Sequence, residues 1–399
     1  MENSRNRSWH ISASFMADFK ACSERCHNRY VRGIVPDEDS DVLRMGTNWH
    51  RVLEINALHP GAECPECAGK QHNLECPLCQ GTNVLPDDMT QAVLRFLNNA
   101  YANCPDGKDR EAWETERAVL MNSLIAYNWL YQDDEGEVIS TEIPFKIRVL
   151  EPGGMPVGDA WLVGKIDKLM RMPNGQIVVP EHKSTSSDLS PESRYWSHLK
   201  LDVQTTLYPY AARRLQKDGE LEKFGIKSTD PLISDIMLDA WHKPMIRPKF
   251  LSQGDSKTFM GSGEYCGVAF GIEGDPIRVD SELAEIKPGA KDGTYAIRET
   301  IGMFGARLRF EISQEPYKYF TRRLLSRTDA DIARVEQEIF SVLNTVKFLS
   351  RTNSWWKNEH ACEATYKCPY LDLCYNNVDL DEGGVPSGFR SIFERRTSD

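Results

Sequence analysis

The chain has 399 residues, 40% of them apolar and 27% charged, with a net charge of -11 at pH 7. This length predicts two or three domains in an ordinary globular protein, and no run of about 18 apolar residues is present to cross a membrane. The acidic balance argues against a protein that coats nucleic acid through bulk charge, and the polar start Met-Glu-Asn-Ser-Arg-Asn-Arg, without an apolar signal core, predicts a cytoplasmic location.

Residues 12–31 read as a helix opened by Ser12 or Ser14, with Phe15, Phe19 and Cys22 at helical spacing. A second helix is expected from Val42 to Leu58. Residues 60–86 lose apolar periodicity, carry four clustered cysteines and read as an insertion. A helix over Met89–Ala102 follows, and the stretch Thr141–Thr185 is β-rich. Further on come a helix over His198–Leu215 and a strand over Ile233–Trp241. Residues 243–293 are rich in Gly, Pro, Ser and charge and read as an irregular excursion. Ala306–Ile312 reads as a strand. After Thr328 an amphipathic helix places Ile332, Val335, Ile339, Leu343 and Val346 on one face. The tail 377–399 is expected to fray. The order predicts an α/β fold with one main core.

Within the β-rich stretch, Gly164-Lys-Ile-Asp-Lys-Leu and Ile177-Val-Val-Pro-Glu-His-Lys-Ser-Thr flank Asn174-Gly175, a dipeptide suited to a tight hairpin turn. Counting outward from a two-residue turn places Asp167 opposite His182 and beside Glu181. Glu181 and Lys183, two apart, share a face of their strand. Two carboxylates and an ammonium on one patch suit a hard divalent cation beside a scissile phosphate. The bland reading of such a triplet is a solvated hairpin with cross-strand charge pairs.

This arrangement resembles the PD-(D/E)XK nuclease superfamily, whose signature is an Asp on one strand and Glu-x-Lys on the next. Gly46-Thr-Asn-Trp-His50 is similar to the Gly-x-x-x-His of its RecB-like branch, in which the His ligates the catalytic metal. Gln204-Thr-Thr-Leu-Tyr208 resembles that branch's Gln-x-x-x-Tyr pair, four apart and so on one helical face. Glu142 stands where that branch often has a Glu before the Asp strand, a position where an edge-strand carboxylate is equally expected. The resemblance implies Mg²⁺ or Mn²⁺ held by His50, Asp167, Glu181 and the backbone carbonyl of His182. It also implies Lys183 stabilising charge on the phosphate, and Gln204 and Tyr208 positioning the strand.

Eleven cysteines in a cytoplasmic chain point to metal rather than disulfides. Cys64-Pro-Glu-Cys67 and Cys76-Pro-Leu-Cys79 are two knuckles spaced to close a tetrahedral zinc site, expected to be structural. Cys362, Cys368 and Cys374 are similar to the carboxy-terminal cysteines of iron–sulfur nucleases, a group that includes the CRISPR-associated RecB-like exonucleases. That resemblance implies a [4Fe–4S] cluster whose fourth thiolate comes from the first helix. Ser12-Ala-Ser14 and Phe19-Lys-Ala-Cys22 favour Cys22, with Cys26 as the competitor, and zinc is the chemical alternative to iron. The spacing departs from the family, which commonly has Cys-x2-Cys-x5-Cys where this chain has x5 twice.

The stretch Tyr317-Lys-Tyr-Phe320-Thr-Arg-Arg323 could stack bases, but a solvated face is the stronger expectation. No phosphate-loop motif is present. The resulting expectation is a mixed sheet flanked by helices over residues 10–376, carrying the zinc insertion at 60–86. Its function would be that of a metal-dependent DNA exonuclease acting on single strands or ends, in phage or prokaryotic recombination, replication or repair. The alternative is a non-catalytic, metal-stapled DNA-binding or adaptor subunit of a repair or CRISPR-type complex.

Overall fold

A six-stranded mixed sheet forms the centre of the computed structural model, which describes residues 8–37, 41–68, 73–134, 136–274, 276–289, 291–364, 367–380 and 384–393. Its strands are β1 (Trp9–Ile11), β2 (Glu137–Leu150), β3 (Pro156–Arg171), β4 (Ile177–Thr185), β5 (Asp235–His242) and β6 (Phe320–Ser326). β3 is the hub. On one edge it pairs antiparallel with β2 over most of its length. On the other edge β1 pairs in parallel with Ala160–Leu162, and β4 pairs antiparallel with only Met170 and Arg171. β4 continues in parallel with β5, and β6 completes the sheet antiparallel to β5.

Helices cover both faces. α1 (Ala13–Ala21) lies on one side, as do α6 (Gln204–Lys217) and α8 (Asp329–Thr352), where Phe15, Leu207, Ile339 and Leu343 share a core with Phe145, Leu162 and Ile166. α8 starts with a capping box between Thr328 and Asp331. The opposite side carries α2 (Asp41–Asn56), α3 (Met89–Ala100), α4 (Arg110–Leu130) and α7 (Ile301–Gln314). There Trp49 of α2 stacks on Trp241 of β5 with ring centroids 4.3 Å apart, and both rings are buried. This contact fixes how α2 crosses the sheet.

Several sequence expectations change. The first helix, expected over 12–31, is opened by Ser12, whose Oγ accepts from the Phe15 N–H at 3.1 Å. It breaks at Cys22, which is extended, and resumes as a short helix Ser23–Cys26 and a π turn His27–Val31. At the break Ser23 Oγ donates to the Trp356 carbonyl and accepts from its N–H, both at 2.8 Å. The expected helix 198–215 is two helices, α5 (Arg194–Leu201) and α6, separated at Asp202-Val203. Ala306–Ile312, expected as a strand, is helical within α7. Its alternation misleads because Arg307 is buried in a bidentate pair with Glu299 while Phe310 is exposed. α4 has no counterpart among the expected elements.

The excursion 243–293 has regular elements, a helix Gln253–Ser262 and short paired strands around Leu251, Phe259 and Val279. In the tail, Phe389–Ser391 pairs antiparallel with Ile34–Pro36. Among the described residues no helix is long and apolar enough to cross a membrane.

Truncating Trp241 to Ala would remove the ring on which α2 rests. The expected cost is about 3–5 kcal/mol, as for other fully buried aromatics. Thermal denaturation measures it, and an unchanged melting temperature would show that α2 is held elsewhere.

Candidate active site

The turn between β3 and β4 sets the site. It holds three residues, Pro173-Asn174-Gly175, closed by Met172 and Gln176, and only Gly175 takes positive φ, at 83°. The register is therefore one residue away from the two-residue count. Extending the Met170–Val178 pairing brings Asp167 level with Glu181 rather than His182. Such a pairing would put both carboxylates on one face, yet Asp167 lines the cavity of His50 and His182 and acts on Glu181 across the gap rather than as a ladder partner. The ladder itself stops after two pairs, and Asp167 lies in the stretch of β3 that neither β1 nor β4 pairs.

α2 brings His50 over that opening. Gly46, one turn earlier, permits the approach, since a Cβ there would meet Ser184 Oγ of β4 at 3.0 Å. His50 Nδ1 stands 3.7 Å from Asp167 Oδ2. Burial acts to raise the Asp167 carboxyl, but His50 outweighs it and holds the group below its ordinary range. A cavity of about 220 Å³ is lined by His50, Glu142, Lys165, Asp167, Lys168 and His182. A larger cavity of about 350 Å³ lies between α4 and residues 244–248 and contains none of these groups.

Glu181 is 1% exposed, and burial raises its pKa. Lys183 Nζ approaches its Oε1 at 3.0 Å, yet neither carboxylate oxygen receives a well-directed hydrogen bond. A buried carboxylate left in this state is costly unless a further positive partner joins it. The Lys183 ammonium donates to Gln204 Oε1 at 2.6 Å, and Gln204 Nε2 donates to the Tyr208 hydroxyl at 3.0 Å. Burial opposes the Lys183 charge, but Glu181 and Asp202 outweigh it and hold the ammonium above its usual range. β4 and α6 thus join Glu181, Lys183, Gln204 and Tyr208 in one chain of contacts.

Glu142 sits across from Asp167 on β2 with φ of 55°, a left-handed conformation inside a strand. Its carboxylate pairs with Lys165. His182 points to the α2 face of the sheet. Its Nδ1 is 3.3 Å from Asp239 Oδ2, and its ring stands nearly perpendicular to that of His50 with centroids 6.2 Å apart. Asp239 also accepts from Arg322 Nε at 3.2 Å and from the Tyr127 hydroxyl. Sequence reasoning missed Asp239, although a carboxylate inside the apolar run Ile236-Met-Leu-Asp-Ala-Trp was its signal. Arg322 belongs to the basic-aromatic stretch, which is structural: Tyr319 and Phe320 are buried, and Arg323 stacks on Trp196 at 4.2 Å.

The cysteines separate into two sets. Cys64, Cys67, Cys76 and Cys79 are buried, with all four sulfurs within 4.8 Å of one another. Cys64 and Cys76 sulfurs are 3.7 Å apart, and those of Cys67 and Cys79 are 3.6 Å apart. Bonds of about 2.3 Å to a tetrahedral metal require sulfurs about 3.8 Å apart, so this cluster fits a single ion. Glu66, between the first two cysteines, pairs with Arg51 beside His50. The second set, Cys22, Cys362, Cys368 and Cys374, lines a cavity of about 120 Å³. These four do not close to the same spacing among the described residues. Cys26 lies instead in the main apolar core, fully buried, where burial pushes its thiol up.

The sequence model of the PD-(D/E)XK nuclease superfamily matches residues 10–375. No curated protein matches the chain.

The Asp239 network carries a pH signature. Burial opposes its ionisation, but His182, Arg322 and Tyr127 hold the carboxyl far below its ordinary 3.8. Its contribution to stability is therefore complete above pH 3.8 and is lost as pH falls toward the lowered value. Asp239→Asn is expected to destabilise the protein near neutrality, by less than the about 3–5 kcal/mol of a wholly unpaired buried charge, since Arg322 keeps the half-buried Asp134 as a carboxylate partner. The gap from wild type should narrow below pH 3.8. A constant gap in pH-dependent thermal melts would exclude this role.

Proposed function

The chain belongs to the PD-(D/E)XK nuclease superfamily, whose members are metal-dependent nucleases acting on DNA, and we propose that it is a RecB-like exonuclease working on single strands or ends. The observation that carries this reading is Glu181, a buried carboxylate whose one close partner is Lys183 and whose oxygens receive no well-directed hydrogen bond, level with Asp167 and below His50. His50, Asp167 and Glu181, with the His182 carbonyl, would hold Mg²⁺ or Mn²⁺. Bound there, the cation would supply charge against the scissile phosphate and an activated water. Lys183 would hold charge developing on the phosphate oxygens, and its ammonium is kept in place by Gln204. Tyr208 fixes Gln204 in turn. Asp239 holds His182, and with it the strand segment that offers the carbonyl. An adaptor subunit would have no use for an ionised Lys183 beside an unsatisfied Glu181. The setting we propose is phage or prokaryotic recombination, replication or repair.

Cys22, Cys362, Cys368 and Cys374 would hold a [4Fe–4S] cluster. Their shared cavity, which Cys22 lines while Cys26 lies in the apolar core, supports this set. The set Cys64, Cys67, Cys76 and Cys79 would hold Zn²⁺ as a structural ion. Burial acts against the thiolate at Cys79, but neighbouring thiols and the Gly81 and Asn83 backbone bring that thiol down to about 7.

Asp167→Ala, Glu181→Ala and Lys183→Ala should each lower cleavage of labelled single-stranded DNA by orders of magnitude while the protein stays folded. In wild type Mn²⁺ should raise the melting temperature, by about 2.7 kcal/mol of stabilisation at a hundredfold excess over Kd. Burial raises the Glu181 pKa, so the metal's effect should fall away as pH is lowered through that raised value. Folded Glu181→Ala protein with undiminished cleavage would remove this site from consideration.

Fresh anaerobic protein should be brown, with broad absorption near ~400 nm that fades in air. Cys22→Ser should bleach it and Cys26→Ser should not, while zinc persists in both. Colourless protein with two zinc ions per chain would put zinc at the terminal cysteines instead.

A further inference from the structure

Beyond the Lys165–Asp167 end, where α2 brings His50 over it, no helix packs closely on the outer face of the β2–β3 hairpin among the described residues. Along β2, Ile143, Phe145, Ile147 and Val149 are buried, while Lys146 is exposed and Arg148 half-buried. Along β3, Ala160, Leu162 and Ile166 are buried, while Trp161, Val163 and Asp167 are half-buried and Lys165 is exposed. The alternation puts Trp161, Lys165 and Asp167 on one face of β3, with Lys146 and Arg148 beside them on β2.

This face combines charge with a flat ring. Arg148 lies across from Trp161 in the ladder, its guanidinium 4.3 Å from the indole centroid, and Lys146 Nζ lies 4.6 Å from the same ring. Asp159 accepts from the indole N–H at 2.7 Å and from Arg148 at 3.5 Å, and Arg148 also donates to the Gly158 carbonyl at 3.0 Å. These contacts hold the ring and the guanidinium in place. On the other edge of β3, exposed His10 of β1 is level with Trp161. Lys165, two residues from Asp167, lines the cavity shared with His50. At about 3.3 Å per residue, six residues of strand separate Trp161 from Asp167 by about 20 Å.

We propose that this face is a tract that leads single-stranded DNA into the site, with a base stacked at Trp161 and Arg148 and phosphates tracked by Lys146, Arg148 and Lys165. The proposal rests on the nuclease reading and names how its substrate arrives. Ring and charge together identify the occupant: a flat indole is flanked by Lys146, which has no carboxylate partner among the described residues, and by Arg148, while Arg148 and Lys165 rest on Asp159 and Glu142 until a phosphate displaces those carboxylates. Indole and guanidinium planes stack any base, which suits a sequence-tolerant enzyme. A duplex keeps its bases stacked on one another and cannot offer them to the indole. A span of about 20 Å holds roughly six stacked nucleotides at 3.4 Å each, and fewer if the strand is extended.

The test separates the tract from the active site. Binding is read as anisotropy of a fluorescein-labelled oligodeoxythymidylate of about 20 nucleotides in Ca²⁺, long enough to cover the tract. Cleavage is read on the same oligonucleotide in Mg²⁺ and on the p-nitrophenyl ester of thymidine 5′-phosphate, too short to reach Trp161. Trp161→Ala should weaken oligonucleotide binding about tenfold, with Trp161→Phe retaining most of it. The double change Lys146→Gln/Arg148→Gln should reduce the salt slope by about 0.7 per lost phosphate contact. Ester cleavage should stay at wild-type level in these variants, and blunt-duplex binding should change little in Trp161→Ala. Wild-type oligonucleotide affinity in Trp161→Ala and in the double variant would overturn the tract and leave the active site standing. Equal weakening of duplex and single strand in Trp161→Ala would overturn the stacking role. If the face seats a second copy, wild type will sediment as a dimer and Trp161→Ala as a monomer with unchanged oligonucleotide affinity, which also overturns it. Failure of wild type to cleave either substrate would sink the nuclease reading, while the binding arm still decides whether the tract exists.

Discussion

The site depends on a gap in a hydrogen-bonded ladder. β3 is longer than the partners on its second edge: β1 takes Ala160–Leu162, β4 takes Met170 and Arg171, and the residues between have no strand beside them. Buried backbone polar groups ordinarily require partners, so a gap inside a sheet is tolerated only where side chains, water or a ligand can enter. His50 enters from one layer of helices, while Gln204 and Tyr208 approach from the other. Here polar groups from both layers reach the same strands.

Much of this was legible in the sequence because the chemistry is carried by short, rigid spacings. Glu181 and Lys183 are two apart on a strand, Gln204 and Tyr208 four apart on a helix, and Gly46 one turn before His50. The pairing of the cysteines as Cys64-x2-Cys67 and Cys76-x2-Cys79 was equally direct. What spacing did not reveal was register. Pro173 lengthens the turn by one residue, which shifts the register of the short ladder between β3 and β4 by one. The choice between Cys22 and Cys26 was also beyond spacing, because it depends on a break in the helix that Trp356, far along the chain, helps to hold.

Buried charge accounts for other differences. Arg307 and Asp239 occupy positions where an apolar residue would ordinarily mark the inner face. Each is reconciled with burial by a specific partner, Glu299 for one and Arg322 with Tyr127 for the other. A pattern of apolar periodicity takes such residues for surface and assigns the wrong period, which is how part of α7 read as a strand. α4 is amphipathic too, but its first turns, Arg-Glu-Ala-Trp-Glu-Thr-Glu-Arg, are dominated by charge.

The tie between Ser23 and Trp356 has a consequence for synthesis. The two residues are separated by 333 positions, so the first helical segment must wait for its partner. At about 5–20 residues per second, that wait on the ribosome is roughly 20–70 s. Through that interval Phe15, Met16 and Cys26, all buried in the finished molecule, have no complete core to enter. Contacts this distant also slow folding after release. The nascent chain therefore keeps these apolar side chains and the Cys26 thiol without their finished surroundings until Trp356 has been made. The distance along the chain also sets an order of events: the Cys22 thiol can meet those of Cys362, Cys368 and Cys374 only after the chain through Cys374 has been made.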